Sequence, residues 1–205
     1  MRHRYGSSVN RRLAAVTAAA IVVAALAGCT TDPLAEQYAD GSGQGYVSGD
    51  GAYTEIPVAD RGDAIDFSGT TEHGDDVSSA DYAGSVLVLN FWYAGCPPCR
   101  LEAKDLKEAS EEYTDVAFLG VNVSDTAGTA TTFATEFGIG YPSILDAQTN
   151  SVQLAFAGQG AVAPNAVPTT LIIDREGRVA GRISGLIRDK SILTAMIDRV
   201  VGEEG

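Results

Sequence analysis

Two cysteines separated by two prolines, Cys96-Pro97-Pro98-Cys99, are the residues of this chain best suited to carry chemistry. They follow an apolar run at residues 86–92, which predicts a buried strand that leads into a helix. Positions i and i+3 share one face of a helix, so the two sulfurs can come close enough for a disulfide. Cys96 would also lie among the unpaired N–H groups of the first helical turn, which favour a thiolate. The spacing therefore predicts a pair that interconverts between dithiol and disulfide by thiolate attack.

Three other uses of such a pair fit the sequence less well. A structural zinc site needs about four N or S ligands, and the chain adds only His3, Cys29 and His73, of which the first two lie in or beside a leader. Attachment of haem needs a histidine directly after the second cysteine, where Arg100 stands. A purely structural disulfide stays open, although so short a loop gains little stability from closure. We therefore expect redox chemistry without a metal or another cofactor.

Residues 1–28 have the composition of a bacterial export signal. A basic start contains four arginines, namely Arg2, Arg4, Arg11 and Arg12. An uncharged, mostly apolar stretch follows at residues 13–27, shorter than the roughly 20 residues of a comfortable membrane span. It ends in Leu26-Ala27-Gly28-Cys29, which resembles a lipobox, and this resemblance implies that Cys29 becomes a lipidated N-terminus. An ordinary cleavable signal with a chance cysteine is the alternative, and the export route stays open.

The charge of the mature chain limits its partners. Loss of the leader removes four of the 14 Lys and Arg residues and leaves 10 against 27 Asp and Glu, a net charge of −17 with His neutral. Nucleic acids and anionic lipid headgroups bind basic surfaces, so this composition argues against both as partners. Attachment to a membrane would then depend on acyl chains alone.

The rest of the chain divides into a tether and one domain. Residues 29–55 are rich in Gly, Ser, Thr and Asp, which predicts a flexible tether. Residues 56–205 are enough for one domain, with a small N-terminal hairpin around residues 70–74. From residue 86 the elements follow the order βαβα and then ββα, with a helical insertion near residues 151–156. This order predicts an α/β fold with a mixed central sheet and helices on both faces.

Two details concern the helices next to the cysteines. The helix that begins at Cys96 is expected to reach about Tyr113. Its apolar stripe includes Leu106, while Glu102 belongs with the charged residues of its wet side. After the second strand, Asp125 is expected to N-cap the next helix.

The order of elements, with CxxC where the first core strand meets its helix, resembles the thioredoxin fold. Over residues 56–201 the chain is similar to the membrane-anchored TlpA/ResA-like thiol–disulfide oxidoreductases. The similarity is carried by several segments, namely Asp81-Tyr82-Ala83-Gly84, Leu89-Asn90-Phe91-Trp92, residues 96–102, Tyr141-Pro142, and Val167-Pro168 with residues 169–174 and Gly177. The resemblance implies an enzyme that exchanges disulfides with client proteins outside the cytoplasm.

The resemblance also implies roles for residues at matching positions. Cys96, exposed at the helix start, would form the mixed disulfide with a client, and the deeper Cys99 would resolve it. Pro168 matches the family's cis proline, which leaves the backbone of Val167 free to pair with an extended client. Glu102 matches a carboxylate near the cysteines and could exchange a proton with the buried thiol. The alternative for Glu102 is an ordinary surface glutamate.

Two positions depart from the family pattern. Asn90 stands where cytoplasmic thioredoxins carry a buried aspartate, so a proton route through Glu102 or water becomes more necessary. Gly95 stands before Cys96, where the family usually has tryptophan, and its lack of a side chain should widen the groove around the sulfur. Trp92 remains nearby as a candidate client contact, with a plain core aromatic as the alternative.

We therefore expect a lipid-anchored reductant on the extracytoplasmic face of the cell membrane. The resemblance implies electron delivery to apocytochrome c thiols or similar clients, with a membrane protein as electron donor. An oxidase or isomerase, which would use a membrane electron acceptor, is the second expectation, and a binding lipoprotein with an inert disulfide is the third. A peroxidase of the related peroxiredoxin type is disfavoured, because Tyr93 and not Thr stands three residues before Cys96. The direction of electron flow stays open, since potentials of such dithiols span more than about 100 mV.

Overall fold

A six-stranded sheet forms the centre of the domain in the computed structural model, which describes residues 52–158 and 166–203. In chain order the strands are Ala52–Glu55 (β1), Ser68–Thr70 (β2), Asp76–Ser78 (β3), Leu87–Trp92 (β4), Ala117–Asn122 (β5), Ser143–Leu145 (β6), Thr169–Ile173 (β7) and Val179–Ser184 (β8). The α-helices are Pro97–Glu112 (α1), Ala127–Phe137 (α2), Ser151–Gly158 (α3) and Lys190–Val201 (α4). Short 3-10 turns occupy Val58–Asp60 and Ser79–Tyr82.

The sheet is parallel on one side and antiparallel on the other, in the order β1-β8-β7-β4-β5-β6. β4, β5 and β6 run parallel, because α1 and α2 serve as crossover connections between them. β7 is antiparallel to both β4 and β8, and Gly177 at φ 81° allows the tight turn between β7 and β8. β2 and β3 form a separate hairpin. The predicted α/β thioredoxin fold with a mixed sheet is confirmed.

Alternate side chains of β4 enter two different cores. On one face Phe91 packs in a cluster with Phe156 of α3. On the other face Val88 packs in a cluster with Leu106 of α1 and Leu193 of α4. Helices therefore cover both faces of the sheet, as the unbroken apolar run predicts.

Two boundaries differ from expectation. Ala52–Glu55, assigned to the tether by composition, forms the edge strand β1 against β8. Tyr53 and Glu55 of this strand are exposed, so it has no buried apolar face that a hydrophobic pattern could reveal. Thr126 and not Asp125 N-caps α2, with Oγ1 accepting the N–H of Thr129 at 3.4 Å. Gly138 ends α2 at φ 67°.

Several predictions concern parts of the chain outside the described residues. These are the export signal at residues 1–28, the lipidation site Cys29 and the tether up to residue 51, all of which stay predictions. Within residues 52–158 and 166–203, no helix is both long and apolar enough to cross a membrane. The same part of the chain has no group of three or more His, Cys, Asp or Glu residues arranged to hold a metal ion.

Candidate active site

Cys96 and Cys99 form a disulfide at the start of α1, with an S–S distance of 2.09 Å and Cα atoms 5.3 Å apart. Cys96 is the N-cap residue, and its Sγ accepts the N–H of Cys99 at 3.2 Å. Pro97 occupies the first helical position, where a missing N–H costs nothing. The pair thus lies where the sequence predicts it, and an N–H group is already directed at the sulfur that would carry negative charge after reduction.

Both cysteines are buried, each with 2 % of its surface exposed. The expectation that Cys96 is exposed and Cys99 deeper is therefore wrong for the disulfide form. The sulfurs share a cluster with Trp92 and with Phe133 of α2, and Val167 packs against it. Gly95, whose missing side chain is expected to widen the groove around the sulfur, is exposed, while Cys96 beside it stays buried. The disulfide therefore offers little of the surface of Cys96 to an incoming client sulfur.

The Val167–Pro168 peptide bond is cis, as the resemblance implies. Pro168 is buried, and its carbonyl oxygen accepts the N–H of Gly185 at 2.9 Å. Val167 is half-buried and packs against the cluster that contains both cysteines. The cis proline and Val167 therefore lie beside the redox pair.

Glu102 is buried within the domain, with 1 % of its surface exposed, and not on the wet side of α1. Its Oε1 accepts a hydrogen bond from Nδ2 of Asn90 at 3.0 Å, and its Oε2 accepts the N–H of Ile187 at 3.0 Å. Nδ2 of Asn90 also donates to Oγ1 of Thr170 at 3.0 Å. The prediction of a wet-side or surface glutamate is wrong, because these donors replace the water that a carboxyl would need.

Burial raises the pKa of Glu102 to about 7, against the opposing effect of its hydrogen bonds from Ile187 and Asn90. A carboxyl that titrates near neutral pH can take up and release protons under ordinary conditions. Glu102 follows Cys99 by one helical turn, and a small cavity beside Cys99 is lined in part by Tyr141 and by Asn90, the hydrogen-bond donor to Glu102. Burial and the nearby charge of Glu102 also raise the pKa of Tyr141. A carboxyl suited to proton exchange therefore lies one helical turn from Cys99.

Trp92 is a core residue of the site, with 5 % of its surface exposed. Its ring packs on Phe133 with centroids 4.4 Å apart, and its Nε1 donates to Oγ of Ser143 at 3.2 Å. Trp92 is therefore a plain core aromatic, which was the alternative to a client contact. Almost none of its surface is free to touch a client.

Arg100 and Asp125 join α2 to the start of α1, a function that sequence reasoning missed. The guanidinium of Arg100 lies 4.9 Å from the ring centroid of Phe137 and pairs with Glu136 at 2.6 Å. Oδ2 of Asp125 accepts the N–H of Ala94 at 2.6 Å. In the sequence, Arg100 is marked only by its position directly after Cys99. Asp125 is marked only by its position directly before Thr126, the N-cap of α2.

Comparison with known proteins identifies the family. The AhpC/TSA family model matches residues 61–182. The thiol-disulfide oxidoreductase ResA of Geobacillus kaustophilus is 31% identical over 151 residues, which cover 72% of this chain and 83% of the relative. The thiol:disulfide interchange protein HelX of Rhodobacter capsulatus is 30% identical over 115 residues, which cover 56% of this chain and 60% of HelX.

Solved structures agree with this similarity. A DsbF homologue from Corynebacterium diphtheriae matches with a TM-score of 0.65 at 30% identity, over 75% of this chain and 96% of that one. A secreted thiol-disulfide isomerase from Corynebacterium glutamicum matches with a TM-score of 0.62 at 28% identity, over 71% of this chain and 92% of that one. The chain therefore belongs to the AhpC/TSA family, within which it is a thiol–disulfide oxidoreductase with a thioredoxin fold.

Proposed function

We propose that this protein is a lipid-anchored, extracytoplasmic reductant of client-protein disulfides that acts through Cys96 and Cys99. The observation that carries the proposal is the combination of a disulfide at a helix start with Glu102, a buried carboxyl whose pKa is about 7. Disulfide exchange requires a sulfur nucleophile and an acceptor for the proton of the second thiol. The first two turns of α1 supply both.

The reducing reaction proceeds in two exchanges. The Cys96 thiolate attacks one sulfur of a client disulfide, so that a mixed disulfide forms and the other client sulfur leaves as a thiolate. The thiol of Cys99 gives its proton to the carboxylate of Glu102, and the resulting thiolate attacks Sγ of Cys96. This second attack closes the protein disulfide and releases the remaining client sulfur as a thiolate. Two electrons pass from the dithiol to the client, and Glu102 returns its proton to solvent.

Client binding is assigned to the backbone beside the cis proline. Val167 packs against the redox cluster, and an extended client segment would pair there by main-chain hydrogen bonds. Backbone pairing recognises an extended chain rather than a particular side chain, which suits an enzyme with several clients.

The N-terminal pattern supports membrane attachment through Cys29. With Cys29 acylated, the three cysteines of the chain leave one pair, so no third thiol competes for it. Outside the cytosol thiols tend to be oxidised, so a reductant needs a membrane electron donor to restore its dithiol. The family resemblance supports apocytochrome c in its disulfide form as a client, and the acidic composition disfavours nucleic acid. A Cys29→Ala variant should move from the membrane fraction to the soluble fraction, while no change would contradict the anchor.

The opposite direction of electron flow is the second candidate. The similarity to the secreted thiol-disulfide isomerase of C. glutamicum favours an oxidase or isomerase that uses the same two sulfurs. Equilibration with glutathione buffers separates the two functions. A midpoint near about −250 mV or lower supports the reductant, and one near about −120 mV supports the oxidant.

Trapping of clients tests whether Cys96 and Cys99 exchange disulfides with other proteins. A Cys99→Ser variant keeps the attacking sulfur but lacks the resolving one, so mixed disulfides with clients should accumulate. Cys96→Ser is the matched control and should trap none. An unchanged cellular phenotype of Cys96→Ser, together with no trapped client in Cys99→Ser, would contradict the proposal and support a binding protein with an inert disulfide.

A further inference from the structure

The turn that precedes Cys96 is held by the side chain of Asp125. Oδ2 of Asp125 accepts the N–H of Ala94 at 2.6 Å, a short distance for a charge-assisted hydrogen bond. Ala94 lies two residues before Cys96, and the N–H of Cys96 donates to the carbonyl oxygen of Tyr93 at 3.2 Å. Because these residues share one turn, the position of Ala94 determines where Cys96 enters α1.

Asp125 is itself fixed by Asn122, a fully buried residue at the end of β5. Nδ2 of Asn122 donates to Oδ2 of Asp125 at 2.8 Å, and Oδ1 of Asn122 accepts the N–H of Asp125 at 2.7 Å. Asn122 is paired in register with Trp92 of β4. The central sheet therefore sets the position of the carboxylate that holds Ala94.

The carbonyl group of Ala94 faces Arg100. Nη1 of Arg100 lies 3.5 Å from the carbonyl oxygen of Ala94, a longer and weaker contact than that of Asp125. The guanidinium is kept in place by Glu136 and by the ring of Phe137. Both backbone polar groups of Ala94 thus contact charged side chains, and Asp125 provides the stronger contact.

We propose that Asp125 is a positioning residue for disulfide exchange. It acts on Cys96 through the backbone of Ala94 and holds the turn so that Sγ meets an incoming sulfur in line with the bond that breaks. Such geometry matters, since a misplacement of about 1 Å can cost roughly 100-fold in rate. The inference rests on the proposed function insofar as Cys96 is the attacking sulfur.

Three variants of the full chain test this role. Asp125→Ala removes the acceptor, Asp125→Asn keeps an oxygen that can accept the N–H of Ala94, and Thr126→Ala removes the neighbouring N-cap of α2 without changing Asp125. The measurements are the rate constant of the reduced protein with glutathione disulfide, hydrogen exchange of the Ala94 amide, and Tm. We expect Asp125→Ala to lose about tenfold in rate together with the protection of Ala94.

The two other variants separate positioning from folding. Asp125→Asn should stay within about threefold of the wild-type rate, because the hydrogen bond to Ala94 persists. Thr126→Ala should lower Tm and keep the rate. A wild-type rate in Asp125→Ala, with a loss of Tm like that of Thr126→Ala, would overturn the proposal. A rate in Asp125→Asn as low as in Asp125→Ala, with Ala94 still protected, would also overturn it, because charge and not position would then matter.

The reaction of the wild-type protein distinguishes failure of the proposed function from failure of the role of Asp125. If the reduced wild-type protein does not react with glutathione disulfide, exchange at Cys96 itself is refuted, and the positioning role is refuted with it. A reactive wild-type protein with equally reactive variants refutes the role of Asp125 alone.

Discussion

The side-chain amide of Asn90 donates a hydrogen bond to Oε1 of Glu102 over 3.0 Å, with both residues buried. The contact joins β4 to the turn of α1 that follows the disulfide. The N–H of Ile187 holds the other carboxyl oxygen at 3.0 Å. Although two donors favour the carboxylate, burial outweighs them and raises the pKa of Glu102 to about 7. The carboxyl of Glu102 is therefore partly protonated at neutral pH. It can accept a proton from a thiol and release it again, as proton transfer during exchange requires.

Glu102→Gln should remove a pH-dependent part of the stability. The ordinary pKa of 4.5 applies to the unfolded chain and a pKa of about 7 to the folded one, so the folded state binds the proton more tightly. The free energy of unfolding should therefore fall as pH rises from 4.5 to 7, by up to about 3 kcal/mol. Urea unfolding of the oxidised proteins at several pH values should show this fall in the wild type and not in the variant.

Wild type and Glu102→Gln are compared by how steeply the free energy of unfolding changes with pH, and not by its absolute value. Gln offers one acceptor oxygen where Glu102 uses two, so either Asn90 or Ile187 loses its partner and the variant is destabilised at every pH. Parallel pH profiles for the two proteins would contradict the raised pKa.

Asn90→Ala should raise the pKa of Glu102 further. The hydrogen bond from Asn90 lowers this pKa in the wild type, and its loss leaves burial less opposed. Carbon-13 NMR of the Glu102 carboxyl should therefore report a titration midpoint above that of the wild type. Thr170→Val is the control, because it removes the other acceptor of the Asn90 amide and leaves the contact with Glu102. A lower midpoint in Asn90→Ala would show that the hydrogen bond has the opposite effect.

Gly120→Ala should disturb the support of the redox cluster. An added Cβ would overlap Oγ of Ser143 and lie 2.7 Å from Nε1 of Trp92, so the hydrogen bond between these two groups cannot persist unchanged. We expect a loss of about 2 kcal/mol in the free energy of unfolding. Trp92 is the only tryptophan of the chain, so its fluorescence reports the change directly.

Gly128→Ala is the matched control for this substitution. A Cβ at Gly128 meets nothing within 4 Å, and the residue lies inside α2. Ala is the better helix former, so this variant should gain about 0.5–1 kcal/mol and keep the emission of Trp92. Equal stability of the two variants would contradict the assigned packing of Gly120.

Arg100→Ala should weaken the contact between α1 and α2, and most of this loss in stability should remain at high salt concentration. We expect a loss of about 1 kcal/mol, since the guanidinium packs on the rings of Phe133 and Phe137 as well as pairing with Glu136. Glu136→Ala should cost less, because the pair is 41% and 52% exposed. At about 1 M salt the effect of Glu136→Ala should vanish, while that of Arg100→Ala largely remains. Equal salt sensitivity would show that the aromatic contacts contribute little.

Local patterns were enough to predict most elements and the redox pair. The apolar run of β4 and the four residues from Cys96 to Cys99 contain their own structural signals, since strand burial and helix capping depend on neighbouring residues. The burial of Glu102 has no such signal. Its partners Asn90 and Ile187 lie 12 and 85 residues away, and a helical pattern counts the residue simply as charged.

The same limit explains the error about Asp125. Residue type and position make it as good an N-cap candidate as Thr126, and nothing local distinguishes the two. The deciding partner, Ala94, lies 31 residues away. The burial of Cys96 likewise depends on packing against Phe133 and Val167, which only the folded chain brings together.

The burial of both sulfurs has a kinetic consequence. A small thiol that collides with the oxidised protein finds 2 % of Cys96 exposed, so most collisions cannot lead to exchange. A protein partner bound beside Val167, as proposed, would displace the covering side chains and gain access to the same bond. Exchange of the disulfide with small thiols is thereby slowed but not prevented, and a partner that docks would exchange with it faster than the surrounding thiols do.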